Sequence, residues 1–410
     1  MQMCYARSMP RFEPFQGLRY DVDRVDPNAV IAPPYDVIEP PQRAALARRH
    51  SANAVRVELP EQDTRAGLDR YQNAAHLLAQ WQEEHKLRRE ARPAFYAYRM
   101  TTPGDVSSTT GIIGALAIDT EAAGQVLPHE ETLPKPKSDR LELLRATNAN
   151  LSPIWGLSLT PGMAMTYRTD GRPDVTATDD EGVRHELWVI DDEHTIDAVK
   201  TAVAASPVVI ADGHHRYETS LAFQRERRAT LGGPVPGDFD LIMALVVELS
   251  ADQLAVGPVH RILSGLPDGF DLVDACSSWF EVMRAGEFTT RNTAALGESG
   301  ALALVMASGV WLLSPKDGTA EAAGSDLDSS MVALVLAELP EHEIEFRYTW
   351  RDAVAEVESE AAQAAVLLRP VTVEQIAAWA HAGRRMPPKS TYFHPKPRTG
   401  MVYRTLADSN

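Results

Sequence analysis

The feature that most constrains the fold is a polar turn between an apolar run and an amphipathic stretch, in PVVIADGHHRYETSLAFQRER at residues 207–227. The β-branched run VVI follows a proline, which is typical of a buried strand. The tyrosine and leucine of YETSL have helical spacing. The segment therefore predicts a strand-to-helix turn, a connection that is typical of α/β proteins.

This turn carries groups that suit a bound anion. We expect Asp212 to cap the helix and Gly213 to adopt a positive φ or to admit another group closely. The first N–H groups of the helix would point outward, and Arg216 with His214 and His215 would add donors and positive charge. The turn is therefore predicted to bind phosphate, with Asp212 and His215 as candidate catalytic residues.

Two other interpretations of the turn stay open. Aspartate and histidine also suit a divalent metal ion, although adjacent histidine side chains usually diverge and no HExxH or CxxC spacing supports a metal site. The turn could also be a capped helix start whose histidines bond to nearby carbonyls.

Composition bounds the class of protein. A chain of 410 residues, with 44% hydrophobic and 24% charged residues, predicts a globular protein of two or three domains. The longest apolar runs are too short to span a bilayer, and the N-terminal residues lack the pattern of a signal peptide. Two cysteines fit a reducing cytoplasm, and the net charge of −17 disfavours nucleic acid as a partner. Oligomeric state is left open.

Periodicity predicts a mixed α/β fold in three segments. Residues 1–105 contribute to the core, 106–267 form the central motif-bearing α/β domain, and 268–410 form an α+β domain whose tail returns to the site. Within them, LIMALVVEL predicts a central strand and LALVMASGVWLLS predicts a hairpin. A helix is predicted to carry Trp279 and Phe280, and the last helix is predicted to begin at Thr372.

A second polar cluster lies in HEETLPKPKSDR. It combines carboxylates with cations on a proline-stiffened loop, so it could place a general base beside an anion clamp or help to hold Mg²⁺. Glu130 is the first candidate for that base. The other candidates are His129, Glu131, Asp139 and Arg140, with Lys135 and Lys137 nearby. A solvated loop that leads into a capped helix is the alternative.

Two further segments repeat this chemistry. The stretch MPPKSTYFHPKPRTG offers Lys389, Ser390 and Lys396 as phosphate ligands, with His394 as a further candidate, or it is a tail that packs across the surface. The stretch GPVHRIL pairs His260 with Arg261, where a buried, hydrogen-bonded histidine is the alternative. Because each of the four segments combines histidine with arginine or lysine, and three of them add hydroxyls or acids, we expect them to converge on one cleft.

Common catalytic templates are absent from the sequence. There is no GxSxG elbow, no GxxxxGK[ST] loop and no GxGxxG after a strand. The absence of these templates leaves catalysis by positioning and electrostatic stabilisation, which is typical of phosphoryl transfer.

Several motifs together resemble one family. FEPFQGLRY, APPYDVI, LPHEETLPKPKSDRLELLRATNANLSPIWGL, VIADGHHRYETSLAF, GPVHRIL and MPPKSTYFHPKPRTGMVYRTL are similar to the domain of unknown function 1015. The resemblance covers essentially the whole chain, and it implies no reaction.

A local resemblance is more informative about chemistry. VVIADGHHRYETSL is similar to the phosphate motif of the ParB and sulfiredoxin superfamily, which includes free-serine kinases. It implies a ParB/sulfiredoxin-like central unit, a phosphate site from Asp212 to Arg216, and Glu130 as the base. The cysteine that sulfiredoxins have in this motif is absent, which argues against sulfinic acid reduction.

The leading hypothesis is a cytoplasmic phosphotransferase that acts on a small hydroxylated metabolite such as serine. A nucleotide or pyrophosphate would be the phosphate donor, and Mg²⁺ is a candidate cofactor. The first alternative is a phosphatase of a small phosphomonoester such as phosphoserine. The second is a non-catalytic regulatory protein that binds a nucleotide.

Overall fold

The computed structural model describes residues 9–104, 108–118, 124–128, 138–285 and 300–407. Its contacts divide the chain into two compact units, one of Met1–Ala255 with Pro395–Asn410 and the other of Val256–His394. The three-segment organisation expected from the sequence stays a prediction.

A mixed sheet of nine strands forms the centre of the first unit. Its order is β6-β11-β8-β12-β5-β4-β10-β9, and β1 pairs with β5. Two small sheets join β2 to β3 and β7 to β21. The strands have these bounds: β1 (Phe12–Glu13), β2 (Leu18–Tyr20), β3 (Leu87–Arg89), β4 (Phe95–Thr101), β5 (Ser108–Ala117), β6 (Val126–Pro128), β7 (Ala149–Asn150), β8 (Ile154–Ser158), β9 (Val175–Thr178), β10 (Arg184–Ile190), β11 (Val208–Asp212), β12 (Leu241–Glu248) and β21 (Arg404–Thr405).

Seven helices are described in the first unit. They are α1 (Pro27–Val30), α2 (Pro40–Arg49), α3 (Val55–Glu58), α4 (Arg70–Glu83), α5 (Ser138–Thr147), α6 (Glu193–Ala204) and α7 (His214–Thr230). Helix α4 shows how sequence determines these elements. Asp69 and Gln72 form a capping box at its start, and Leu78 and Trp81 turn into the core from one face.

Strand β12 is central, as its sequence predicts. It lies between β8, to which it is parallel, and β5, to which it is antiparallel. Its six inner residues are all buried, because the sheet is covered on both faces. Next to β8 lies β11, which leads into the Asp-Gly-His-His-Arg turn and pairs with β6 on its other side, so the turn follows the second strand from one end of the sheet.

The C-terminal tail is tied into the first unit at several points. Thr399 bridges to Ala32, Tyr403 bridges to Leu18, and β21 pairs with β7. The tail therefore runs beside the segment APPYDVI, whose Tyr35–Val37 form a single 3₁₀ turn.

The second unit contains an antiparallel sheet of six strands in the order β15-β17-β16-β19-β14-β18. The strands are β13 (Ala255–Gly257), β14 (His260–Ser264), β15 (Phe280–Ala285), β16 (Leu302–Met306), β17 (Gly309–Pro315), β18 (Glu343–Arg347), β19 (Ala364–Leu367) and β20 (Tyr392–His394). The helices are α8 (Leu272–Ser277), α9 (Thr319–Ala322), α10 (Asp328–Glu338), α11 (Trp350–Glu358) and α12 (Val373–His381).

Two predictions for elements of this unit are confirmed and one is wrong. The hairpin is confirmed as β16 and β17, and α12 begins after its cap Thr372. The predicted helix through Trp279 and Phe280 is wrong, because α8 ends at Ser277 and Phe280 opens β15. Phe280 instead packs into the buried cluster of the sheet.

The mixed α/β architecture predicted from the sequence is confirmed by these sheets and helices. In the parts of the chain that the structure describes, no helix is long and apolar enough to cross a bilayer.

Candidate functional site

The turn between β11 and α7 has the predicted strand-glycine-helix form. Gly213 has a φ of 87° and caps α7. A Cβ at this position would lie 3.0 Å from both the Arg216 guanidinium and the Ile154 side chain, so close packing also requires glycine. The prediction that Asp212 caps the helix is wrong, because its carboxylate accepts from two cationic side chains instead.

Asp212 is the centre of an ion-paired cluster. Lys396 Nζ donates to its Oδ1 at 2.5 Å, and Arg216 Nη2 donates to its Oδ2 at 2.8 Å. Burial alone would raise the pKa of Asp212, but Lys396 and Arg216 outweigh it and lower the pKa to about 2. Asp212 is therefore ionised at neutral pH and holds both cations at the start of α7.

Arg216 is fixed by contacts on two sides. In addition to Asp212, its Nη1 donates to Ser152 Oγ at 3.2 Å and to the carbonyl of Pro153, just before β8. Burial would lower its pKa, but Asp212 and the other nearby acids outweigh that effect and raise it. The guanidinium thus stays charged in a buried place and in one orientation.

Lys396 reaches this cluster from the C-terminal tail. Its Nζ also lies 4.0 Å from Asp36 Oδ2. Burial would lower the pKa of Lys396, but the negative charges of Asp212 and Asp36 outweigh the effect of burial and raise that pKa. The side chain is 14% exposed, so the tail delivers a nearly buried ammonium group to the turn.

The two histidines occupy the first turn of α7. His215 Nδ1 lies 4.0 Å from Glu218 Oε2, and the side chain is about one third exposed. His214 lies near enough to Asp212 to act on it electrostatically and to lower its pKa. Both histidines therefore stand at the same helix start as Arg216.

The second polar cluster is described only at its C-terminal end. His129, Glu130, Glu131, Lys135 and Lys137 lie outside the described residues. Their assigned roles stay predictions.

The described end of that cluster is an ion pair beside the turn. Arg140 donates twice to Asp139 Oδ2, at 2.8 and 2.6 Å, and its guanidinium stacks on the Tyr35 ring at 4.5 Å. Burial would raise the pKa of Asp139, but the charge and hydrogen bonds of Arg140 outweigh the effect of burial and lower that pKa. Arg140 also donates to the backbone carbonyl of Glu58 at 2.7 Å, which ties α5 to α3.

A cavity of about 60 Å³ lies against Arg216. Ser152, Thr219 and Ser220 line its polar part. Its acidic wall is Glu58, which is 2% exposed and whose Oε1 accepts from Ser152 Oγ at 3.2 Å. Burial raises the pKa of Glu58 although Arg140 and Arg216 act to lower it. The residues that line the cavity are Glu58, Arg140, Leu143, Leu144, Ala149, Asn150, Leu151, Ser152, Arg216, Thr219, Ser220 and Ile242.

Two of the predicted phosphate ligands, Lys389 and Ser390, lie in the second unit together with the further candidate His394. Lys389 has a left-handed backbone, with a φ of 60°, and its Nζ donates to the Tyr348 hydroxyl at 3.4 Å. Ser390 is buried and shares a hydrogen bond of 2.9 Å with Ser329. His394 stacks against Tyr392.

His260 and Arg261 also lie in the second unit, on β14. His260 is buried and its Nδ1 accepts from the Leu368 N–H at 3.2 Å, and burial lowers its pKa to about 4. Arg261 donates to the backbone carbonyls of Val259 and Lys389. His260 thus has the features of the buried, hydrogen-bonded alternative. The convergence of all four segments on one cleft stays a prediction.

The described residues offer no dedicated cage for a metal ion. Among them, no group of three or more His, Cys, Asp or Glu side chains is arranged to hold one. Both carboxylate oxygens of Asp212 already accept from Lys396 and Arg216. Mg²⁺ bound to proteins through few carboxylates usually depends on substrate phosphates for further ligands.

Sequence reasoning missed four residues of this site. Tyr35 and Asp36 lie in APPYDVI, Glu58 ends α3, and Ser152 precedes β8. The motif APPYDVI could have indicated a polar site, because a tyrosine and an aspartate between prolines and apolar residues need hydrogen-bond or charged partners wherever that segment is buried. Glu58 stands in VRVELP, where an acid in an apolar context is a weaker signal of the same kind.

Comparison with known proteins shows the family. The chain belongs to the family described as protein of unknown function DUF1015, whose model matches residues 12–336. No curated protein matches the sequence.

Several solved structures are similar in part. A conserved hypothetical protein from Pyrococcus furiosus is 15% identical, with a TM-score of 0.36, over 68% of this chain and 90% of that one. A free serine kinase in complex with AMP is 15% identical, with a TM-score of 0.38, over 74% and 96%. SbnI from Staphylococcus aureus is 11% identical, with a TM-score of 0.36, over 71% and 86%. These similarities are weak, so none of them assigns an activity to this chain.

Proposed function

We propose that this protein is a phosphotransferase that acts on a small hydroxylated metabolite, with serine as the first candidate. A nucleotide or pyrophosphate would bind as the phosphate donor at the turn from Asp212 to Arg216. The observation that carries the proposal is the pairing of Arg216 and Lys396 with one carboxylate at the start of a 17-residue helix. Phosphate binding there would use both cations and the helix N-terminus.

The geometry supports this use in three ways. Gly213 has no side chain and lets a ligand approach the backbone at the helix start. Asp212 is ionised and keeps the two cations in place before any ligand arrives, which reduces the cost of organising the site. The cavity beside Arg216 leaves room for a second, smaller molecule next to the phosphate.

Glu130 is our proposed general base. The proposal rests on its carboxylate chemistry and on the sequence resemblance, because the residue lies outside the described part of the chain. A base removes the proton from the acceptor hydroxyl as its oxygen attacks the terminal phosphorus of the donor. The bond from that phosphorus to the bridging oxygen of the donor breaks, the donor departs one phosphate shorter, and the acceptor oxygen keeps the phosphoryl group. His129 and Glu131 are the neighbouring candidates for the same role.

The test is a turnover assay that separates donors and acceptors. ATP, ADP and pyrophosphate are each incubated with Mg²⁺ and a panel of hydroxylated metabolites that includes L-serine, and products are identified by mass spectrometry. We expect one donor to be consumed together with the appearance of one phosphomonoester. Hydrolysis of phosphoserine without transfer would favour a phosphatase. Nucleotide binding without any turnover would favour a regulatory protein.

A further inference from the structure

The cavity beside Arg216 is lined by an acidic side chain, Glu58, of which only one carboxylate oxygen accepts a hydrogen bond from the described residues. Glu58 is 2% exposed and lines the cavity, and Ser152 donates to its Oε1. Its other oxygen, Oε2, is buried and accepts no hydrogen bond from any described residue. A buried carboxylate oxygen without a donor is costly, and such groups commonly mark the place of a ligand or an ordered water.

The neighbouring cations do not supply this missing donor. Arg140 comes within 3.9 Å of Glu58 Oε1, but it donates to Asp139 Oδ2 and to a backbone carbonyl. Arg216 donates to Asp212, Ser152 and Pro153. Neither guanidinium therefore donates to Glu58 Oε2.

The cavity limits what could supply the donor. Its volume of about 60 Å³ holds only a few water-sized groups. Leu143, Leu151 and Ile242 line part of it, and apolar walls strengthen an electrostatic contact with the carboxylate. A small cationic donor fits these conditions better than a large or anionic one, because it satisfies the hydrogen bond and the charge together.

We propose that this cavity binds the ammonium group of a small hydroxylated compound, with Glu58 Oε2 as the acceptor. The ligand class is a short amino alcohol or hydroxy amino acid. That this compound is the phosphoryl acceptor rests on the proposed function, whereas the binding itself does not.

Hydrogen bonds through Ser152 also connect this cavity to the turn. Ser152 Oγ accepts from Arg216 and donates to Glu58, so one hydroxyl links the cation of the phosphate site to the acid of the cavity. An ammonium group held at Glu58 would therefore place the rest of a short molecule next to Arg216. Glu58 acts in this proposal by recognising the ligand, and it transfers no proton.

The test is calorimetry with two matched pairs of probes and no nucleotide. L-Serine is compared with L-glycerate, which has the same configuration, and ethanolamine is compared with ethylene glycol; in each pair an ammonium group is replaced by a hydroxyl. We expect each ammonium compound to bind at least about 10-fold more tightly than its hydroxyl partner, which is the effect of one hydrogen bond to a charged group. Equal binding within both pairs would overturn the proposal without the use of any variant.

Variants then locate the effect. Glu58→Gln keeps the shape but removes the charge, and we expect it to lose most of the preference for ammonium compounds. Glu186→Gln is the matched control, because Glu186 is also buried in the same unit and pairs with Arg184. The control should keep the preference, and thermal melts should show that both variants are folded. A Glu58→Gln protein that retains the full preference would place the ammonium elsewhere.

The outcomes separate this inference from the proposed function. If nucleotides bind and phosphate is transferred but ammonium compounds are not preferred, only the assignment of Glu58 fails. If ammonium compounds bind through Glu58 but no donor is bound or consumed, the cavity is a binding site and the phosphotransferase proposal fails.

Discussion

Replacing Arg216 by lysine is the sharpest perturbation of the phosphate site. Arg216 holds Asp212 with one terminal nitrogen, and Ser152 and Pro153 with the other, so its planar guanidinium is fixed in one orientation at the turn. Lysine keeps one charge but loses the planar fork. A charge-assisted bidentate contact is stronger than a single neutral bond, and losing it costs about 1.5–3 kcal/mol, which is about 10- to 150-fold in affinity.

The assay is calorimetric titration of pyrophosphate, ADP and ATP into wild type, Arg216→Lys and a control. Arg228→Lys serves as that control, since Arg228 is on the same helix and pairs with Asp240 at 2.7 Å. The control should bind as wild type does. Substitution of either His214 or His215 should weaken binding less than Arg216→Lys, because arginine stays charged at every working pH. Unchanged affinity in a folded Arg216→Lys protein would remove Arg216 from the site.

Three further predictions concern the proposed base, the ion-paired aspartate and a buried histidine of the second unit. Glu130→Gln should bind ligands normally and lower kcat by about 10²- to 10⁴-fold, and Glu131→Gln, the neighbouring candidate for the same role, is assayed beside it; turnover of Glu130→Gln within about twofold of wild type would end its assignment as the base. Asp212→Asn should cost about 3–5 kcal/mol in unfolding free energy, because it leaves buried cations unpaired, and pyrophosphate should raise its melting temperature more than that of wild type; an equal rise would contradict this. Burial lowers the pKa of His260 from 6.5 to about 4, so in this window the unfolded chain binds a proton that the folded chain does not. Stability should therefore fall by about 3 kcal/mol from pH 6.5 to pH 4, and denaturant titrations of His260→Asn should lack this slope.

The local form of the turn could be predicted from the sequence, but its partners could not. A β-branched run, a glycine and a helical spacing are short-range signals, and β11, Gly213 and α7 follow them. The prediction that Asp212 caps the helix was wrong because Lys396, 184 residues away in the sequence, donates to the same carboxylate. Lys396 was a candidate on its residue type alone, and only the bridges of the tail place it at Asp212.

The acidic side of the site shows the same limit more strongly. Glu58 ends a four-residue helix whose neighbours are apolar, and its role depends on Ser152 and Arg140 from distant segments. Periodicity describes which residues turn inward, but it contains no information about which charged groups meet. In the second unit, Phe280 was assigned to a helix because aromatic residues fit either period, and the pairing of β15 with β17 decided the outcome.

The central claim is that a phosphate group binds at the start of α7, and amide NMR tests it most directly. Pyrophosphate is titrated into ¹⁵N-labelled protein while the backbone signals of residues 213–217 and the Arg216 side-chain Nε–H signal are followed. We predict that these signals shift most and saturate together, and that Arg216→Lys reduces the shifts. Saturable binding of pyrophosphate with the largest shifts at other residues, or no binding at all, would contradict the claim.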